Sequence, residues 1–582
     1  TNSTSGEQTQ TNSVTSFNTD GFTLGSDGNG EVNYSGSTFA SWTFRKAPGF
    51  FDVVTYTGDG VAGREIAHNL GCDVGFLIVK RTDTTGNWPV YHKGMYASDP
   101  DGAMQLNNTA PSTSFAGYVY FGTGSGNVIP PTSTVFTVGS DYNTNASGGS
   151  YVAYLFADGD DAAAQIFGTD GDQAVIKCGS YTGNSSTDGV EIDCGFEPQW
   201  VLVKASDVSA DWFLFDAMRG VIDGTGGDQK LLPNSSAAEA ADTALKFTPT
   251  GFKFETSSSN YNSSSYNYIY IAIRRPHKPA ETGSEVFAVG TQGEDSTSKY
   301  GYTSGFPVDF AWRTMTTGES PYSSSRLTGR SYLVMSGGGY EAASTYPVFD
   351  DMESWWSLTS TDTGRYSHMF KRSPGFFDVV TYKGNQSSGR TISHNLGVAP
   401  EMMIVKDRDY GSSWWVYHTG INVDGDNAPE TDVIRLNMNI APYDDATIWN
   451  DTAPTDAVFT LGWGNSNANN YQYVAYLFAS QTGISKVGSY TGNGTSQTID
   501  CGFTTGARFA LIRRSDSTGD WVYWDYKRGI VSGSEYSSKI NGTGSYVTSD
   551  SIDPDSSGFV INQDSSTNAN ISGATYIYLA IA

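Results

Sequence analysis

The chain has 582 residues, with 34 Lys or Arg against 61 Asp or Glu and a net charge of −27, which argues against sustained contact with nucleic-acid phosphates. Only 16% of residues are charged and 38% are hydrophobic; Ser, Thr, Asn and Gly fill the difference, a composition suited to many short strands joined by polar turns. No run of about 18 apolar residues occurs, which argues against membrane insertion by a helix, and the length calls for several domains rather than one core.

The sequence opens at Thr1 inside a polar run, TNSTSGEQTQ. Asn2 and Glu7 are spaced as Asn234 and Glu239 are, and both runs lead to a Gly-Phe pair, at Gly21 and Gly251. Residues 1–48 therefore read as the C-terminal half of a truncated module, with further sequence expected upstream, because half a β-sandwich cannot bury its inner face alone.

From residue 49 the chain repeats itself. APGFFDVVTY from Ala47 returns as SPGFFDVVTY from Ser373, an offset of 326 (373 less 47) that also pairs His68 with His394, Lys80 with Lys406, Trp88 with Trp414 and His92 with His418. Further on, GSYTGN at Gly179 returns at Gly488, and this offset of 309 (488 less 179) pairs Trp212 with Trp521, Asp216 with Asp525 and Arg219 with Arg528. A shorter period lies inside each copy, with Lys80 answering to Lys204 and Trp88 to Trp212. The plan that follows is module A at 49–157, B at 174–275, a divergent C at 286–372, A again at 375–479 and B again at 485–582. Residues 49–275 are expected to superpose on 375–582.

Within a module, strands alternate with period 2. Tyr268, Tyr270 and Ala272 point one way and Ile269, Ile271 and Ile273 the other, a pattern repeated at 576–581, and the aliphatic set is expected to be each module's own core. FLIVK (Phe76 to Lys80), a polar turn and WPVY (Trp88 to Tyr91) read as a hairpin. The fold class expected is all-β, a tandem array of antiparallel β-sandwich modules of jelly-roll type.

The runs FFDVVTYTG, HNLG, IVKR with TGNW, LPNSSAAE, YVAYLF, GSYTGN and GFEPQWVLVK resemble a repeated domain of unknown function in tail-fibre-like virion proteins of marine tailed phages, including cyanophages. The resemblance covers nearly the whole chain and is weakest from Val286 to Arg372. It implies a concanavalin-like, lectin-like sandwich and a structural role in the virion; the reading built on it is a non-enzymatic tail fibre or similar appendage on the particle surface that contributes to host attachment, with other virion proteins as partners, a homo-oligomer, and a host surface glycan as the expected ligand. It implies no catalytic residues and no cofactor. Two readings from other classes stay open, a polysaccharide-degrading tailspike and a bacterial surface adhesin.

The chemical candidates are weighed on their spacing. His68, His92, His394 and His418 occupy two repeated positions, but no HxH or HxxxH pair occurs and module B carries Asp193 and Asp216 near the matching places, so hydrogen bonding is expected and no metal. The run DGDDAAAQIFGTDGDQ (Asp158 to Gln173) lacks EF-hand spacing and reads as a solvated linker. Cys178 and Cys194 flank an SYTG turn, while the second copy has Val487 opposite Cys501; a bridge between the first two is left open. Trp88, Trp212, Trp414 and Trp521 follow Lys80, Lys204, Lys406 and Arg513, and a cation lying on an indole across a hairpin is expected as scaffold. Glu191, Asp193 and Glu197 suggest a glycosidase cluster, but Thr498 and Thr504 replace both Glu residues in the copy, so no hydrolysis is expected. Residues that recur in every module serve what all modules share; a receptor site should break the pattern. Trp355 and Trp356 in ESWWSLTS, and Tyr261 and Tyr266 in SSNYNSSSYNY, are the non-recurring aromatics in polar loop sequence and are the expected ligand-binding residues.

Overall fold

The structure is a computed structural model, and it describes residues 2–19, 21–26, 32–112, 117–124, 128–168, 171–223, 227–292, 301–316, 318–344, 347–356, 364–543 and 546–582, without the side chains of 117, 118 and 356. The chain is all-β, a tandem array of antiparallel sandwich-like units. Among the described residues no helix is long and apolar enough to cross a membrane. Two compact units divide it: 1–219 with 228–247 and 251–275, and 220–227 with 248–250 and 276–582.

In the first unit, one five-stranded sheet runs in the order Phe51–Thr57, Ser150–Ala157, Val74–Arg81, Pro89–His92, Met104–Gln105. The first and last long strands thus pair, and the intervening strands follow outward from the last. A six-stranded sheet repeats that order with Ile176–Thr182, Asn267–Arg274, Pro198–Ala205, Phe213–Asp216, Asp228–Leu231 and Ala240–Asp242. In the second unit the same order appears three more times, in sheets that begin at Phe287–Thr291, Phe377–Lys383 and Ser485–Thr491 and place Arg365–Phe370, Gln472–Phe478 and Thr575–Ile581 second. Each large sheet is accompanied by a small one of two or three strands, such as Arg390–Ser393 with Val458–Leu461.

The alternation in the central strands has a different meaning from the one expected. Tyr576, Tyr578 and Ala580 join Ile499, Phe559 and Ile561 inside their own sandwich. Ile577, Leu579 and Ile581 instead enter a second core, shared with Val289, Phe310 and Trp312 of one neighbouring sheet and Ile404, Val416 and Phe478 of another. The aliphatic face is therefore not a module's private core; it is the face by which large sheets pack on each other. A strand buried on both faces has no polar side, which is why the stretch TYIYLAI (Thr575–Ile581) is apolar in both registers.

Four of the five sandwich interiors, all but the divergent one led by Phe287, are closed by one recurring device among the described residues. Tyr382 stacks on Tyr473 with ring centroids 5.0 Å apart and 8° between planes. The Tyr382 hydroxyl donates to the Ser466 carbonyl at 2.7 Å, and the Tyr473 hydroxyl accepts from Ala468 N at 2.9 Å. Between them, the fully buried Asn467 accepts from Asn385 N at 3.0 Å and donates through Nδ2 to the Asn385 side chain and to the Ser387 and Gly462 carbonyls at 3.3, 2.9 and 3.0 Å. The same three-residue clamp occurs as Tyr56, Tyr151 and Asn145, as Tyr181, Tyr268 and Asn262, and as Tyr490, Tyr576 and Asn570. The Gly of GSYTGN is required where it stands, because a Cβ on Gly488 would lie 2.6 Å from the Tyr578 hydroxyl.

Removing a buried amide strands every partner it satisfied. Asn467→Ala should destabilise the second unit by roughly 2–4 kcal/mol, read as a lowered urea midpoint; an unchanged midpoint would show that the clamp is dispensable.

Candidate functional site

Site residues have to be separated from residues that hold modules together, and the recurrent ones fall in the second class. Trp521 Nε1 donates to the Arg435 carbonyl of the preceding sandwich at 2.9 Å, and Trp414 Nε1 to the Val334 and Gly337 carbonyls at 3.1 and 3.2 Å. In the first unit Trp212 Nε1 reaches the Gln105 carbonyl at 3.2 Å. The paired cation does the same work in two of these modules, where Arg513 bonds the Met438 carbonyl at 2.9 Å and also the Ile440 carbonyl, and Lys204 bonds the Thr109 carbonyl at 3.2 Å; Lys406 instead bonds the Asp407 and Tyr410 carbonyls of its own module. The cation also lies over the indole in two cases, Lys80 on Trp88 at 5.5 Å and Arg513 on Trp521 at 5.7 Å. The pair is a hook onto the preceding module, not only a hairpin contact.

The four repeated histidines are likewise structural. His92 Nδ1 accepts from Gly94 N at 3.0 Å, which leaves Nε2 to donate to the Tyr270 carbonyl at 3.0 Å; His418 does the same with Gly420 N and the Tyr578 carbonyl. His68 and His394 occupy both ring nitrogens with backbone partners in their own modules. Among the described residues no group of three or more His, Cys, Asp or Glu comes together as a metal site. The acidic run is tied by lysines, Asp158 to Lys93 and Asp160 to Lys93 and Lys177. All four cysteines are free and buried, and burial pushes the Cys72, Cys194 and Cys501 thiols up to about 12. Glu191 and Asp193 stand exposed on one short strand, while Glu197 is buried against Arg275 Nε at 3.0 Å.

Two of the four expected receptor aromatics, Trp355 and Tyr261, need correction. Trp355 is buried, stacked between Tyr302 and Phe349 at 5.7 and 5.4 Å, with Nε1 donating to Ser367 Oγ at 2.9 Å. Tyr261 is buried too, nearly parallel to Phe254 at 4.8 Å, with its hydroxyl donating to Asp242 at 2.6 Å. Both rings fill sandwich interiors and present no face to a ligand. Tyr266 is half-buried in a loop fixed by its backbone bonds with Ser263 and Gly183. The side chain of Trp356 lies outside the described residues, and its backbone pairs with Gly301.

The criterion of non-recurrence still selects rings, and they lie elsewhere. Tyr410 is 63% exposed and stacks on Tyr471 at 5.8 Å and 14°; the first copy has Thr84 and Gly149 at these places. Asp409 borders the pair and accepts from Gln472 N at 2.8 Å. The loop carrying the exposed Tyr340 meets the same turn through Glu341 N donating to the Arg408 carbonyl at 2.7 Å. Flat rings beside a carboxylate and amides can stack on the apolar face of a sugar while its hydroxyls are bonded at the edge. Sequence reading passed over Tyr410 because DRDYGSS reads as a plain turn.

A family profile matches residues 1–276 and 360–582, most of the chain. The chain belongs to the family described as a domain of unknown function, DUF7483. The stretch between the two matches, 277–359, covers most of the divergent third sandwich. No curated protein matches the chain.

Burial holds the His92 and His418 imidazoles neutral, pushing each down to about 4. Unfolding frees them to titrate near the ordinary 6.5, so the unfolded state takes up more protons between those values, and stability is full above about 6.5 and lost as pH falls toward 4, by roughly 3 kcal/mol per imidazole. His418→Gln should flatten the loss of urea stability over that window in the second unit; an unchanged slope would remove His418 as its cause.

Proposed function

We propose that this chain is a structural protein of a tailed-phage virion, a tail fibre or similar surface appendage, which contributes to host attachment. The observation that carries this reading is that the recurrent Trp–cation pairs are spent on gripping the neighbouring module. An array whose repeated residues hold one module to the next resists being pulled or sheared apart, which is the demand on an external appendage. The resemblance to tail-fibre-like virion proteins supports the same reading. A homo-oligomer and other virion proteins are the partners it implies.

Attachment is assigned to the Tyr410–Tyr471 platform with Tyr340 beside it, with a host surface glycan as ligand. Aromatic stacking on a saccharide adds area at small entropic cost, and many weak sites on one particle multiply by avidity. A depolymerase reading would require paired carboxylates facing a cleft. The cluster that suggested one has Glu197 engaged by Arg275, so release of reducing ends is not expected.

Tyr410→Ala combined with Tyr340→Ala should lower retention of the protein on host cells or on immobilised host polysaccharide by about tenfold while leaving its melting temperature unchanged. Equal retention would overturn the assignment of this surface. Release of reducing ends that Glu191→Gln abolishes would favour the depolymerase instead.

A further inference from the structure

The divergent sandwich led by Phe287–Thr291 keeps the strand register of the others. Phe310–Met315 pairs with Arg365–Phe370 so that Arg313 faces Ser367, as Val405 faces Ala475 and Ile512 faces Tyr578. In that register Arg365 stands where Tyr473 and Tyr576 close their own sandwiches. Gln292, whose N–H donates to the Arg365 carbonyl at 3.1 Å, stands where Tyr382 and Tyr490 stack on those rings. Arg313 takes the place of Val405 and Ile512, both buried in sandwich interiors. Ala311 and Met369, two residues before Arg313 and four after Arg365, belong to the core of this sandwich, so strand alternation puts both arginines on its inward face.

Charge at this place is not balanced. Glu319 is the carboxylate that meets the two cations, and Arg365 takes it with a fork, Nη1 and Nη2 donating to its two oxygens at 2.9 and 3.3 Å. Arg313 Nη1 is left 4.0 Å from Glu319 Oε2, buried and with no hydrogen-bond partner. The Arg313 guanidinium lies over the Tyr322 ring, 4.7 Å from its centroid, a contact that supplies no acceptor to its N–H groups. Burial and the neighbouring Arg365 push Arg313 down from its ordinary value.

Packing does not account for these residues. The other sandwiches fill the same places with Val, Ile and Tyr, and a buried ion pair is seldom more stable than apolar groups of similar volume. Two guanidiniums on one carboxylate are less favourable still. The place is also within reach of solvent at its rim, where the side chains of Glu319 and Arg313 are 37% and 13% exposed. Arg313, Glu319 and Tyr322 all lie in the stretch between the two family matches, where the repeated plan is broken.

We propose that Arg313 anchors an anion-binding site in the divergent sandwich, and that its ligand is the carboxylate of an acidic sugar, a uronate unit of a surface glycan. A carboxylate is planar and accepts two parallel N–H groups from one guanidinium; here it supplies the acceptor that Arg313 lacks and the negative charge that Glu319 alone does not. The choice of a sugar rests on the attachment reading, whereas the anion site does not.

The test is calorimetric titration of the full chain at low ionic strength with a glucuronate oligomer and with a glucose oligomer of equal length. The uronate should bind at least tenfold more tightly. Arg313→Val should remove that preference without lowering the melting temperature, and Glu319→Gln, which takes away the competing carboxylate, should tighten uronate binding several-fold. Tyr410→Ala with Tyr340→Ala should leave uronate binding intact, so that failure of the aromatic platform and failure of this site are read separately. Equal binding of the two oligomers, or a preference that survives Arg313→Val, would overturn the proposal. Acetate that saturates the site as tightly as the uronate would overturn the sugar as its ligand. A lowered melting temperature in Arg313→Val, with uronate affinity unmoved by Glu319→Gln, would make the arginine scaffold and overturn the site.

Discussion

Burial of the large sheets of the second unit on both faces is the constraint from which the rest follows. A sheet with one wet face can stand as an independent module, but the central strands of the second unit have none. Their second face, carrying residues such as Ile404, Leu511 and Leu579, must be covered by another sheet. Sharing a core makes each sandwich a structural part of its neighbour, and burying each large aliphatic side chain contributes about 1.5–3 kcal/mol that exists only in the assembled unit.

Apolar packing alone is not directional, and polar groups at the joints supply the register. An indole N–H and a cation aimed at backbone carbonyls fix where one sheet meets the next, and a neutral imidazole caps the central strand of the following module. These groups are buried with partners, so a slipped arrangement would leave donors and acceptors unsatisfied in a dry core. Close approach is built in as well. A Cβ on Gly420 would come within 2.9 Å of Ser489, and one on Gly94 within 2.8 Å of Ser180. Glycine at both places lets the sheets meet.

Fold class was legible in the sequence because alternation and offset are local and repetitive. Equal landmark order at Tyr56, Lys80 and Trp88 and at their copies carried over into equal strand order. The role of the alternating faces was not legible, since a strand buried by its own sandwich and one buried by a neighbour both read as Ile-x-Ile. The clamp asparagines were available in principle as an N-x5-Y spacing, Asn145 with Tyr151 through Asn570 with Tyr576, but an Asn in a polar turn is the commonest of residues. Trp355 and Tyr261 misled for a related reason. Polar flanks mark a loop, yet the ring of Trp355, within the short strand Ser354–Trp356, and that of Tyr261, in a turn, both enter the interior, and only the tertiary partners Phe349 and Phe254 reveal it.

The most direct test of shared cores is hydrogen exchange across a urea series on the full chain and on Trp521→Ala, a truncation expected to cost about 3–5 kcal/mol. The strands Phe310–Met315, Met402–Asp407 and Phe509–Arg514 should lose protection at one common urea concentration, and the substitution should move all three together. Loss confined to Phe509–Arg514, with the other two strands unmoved, would contradict the account.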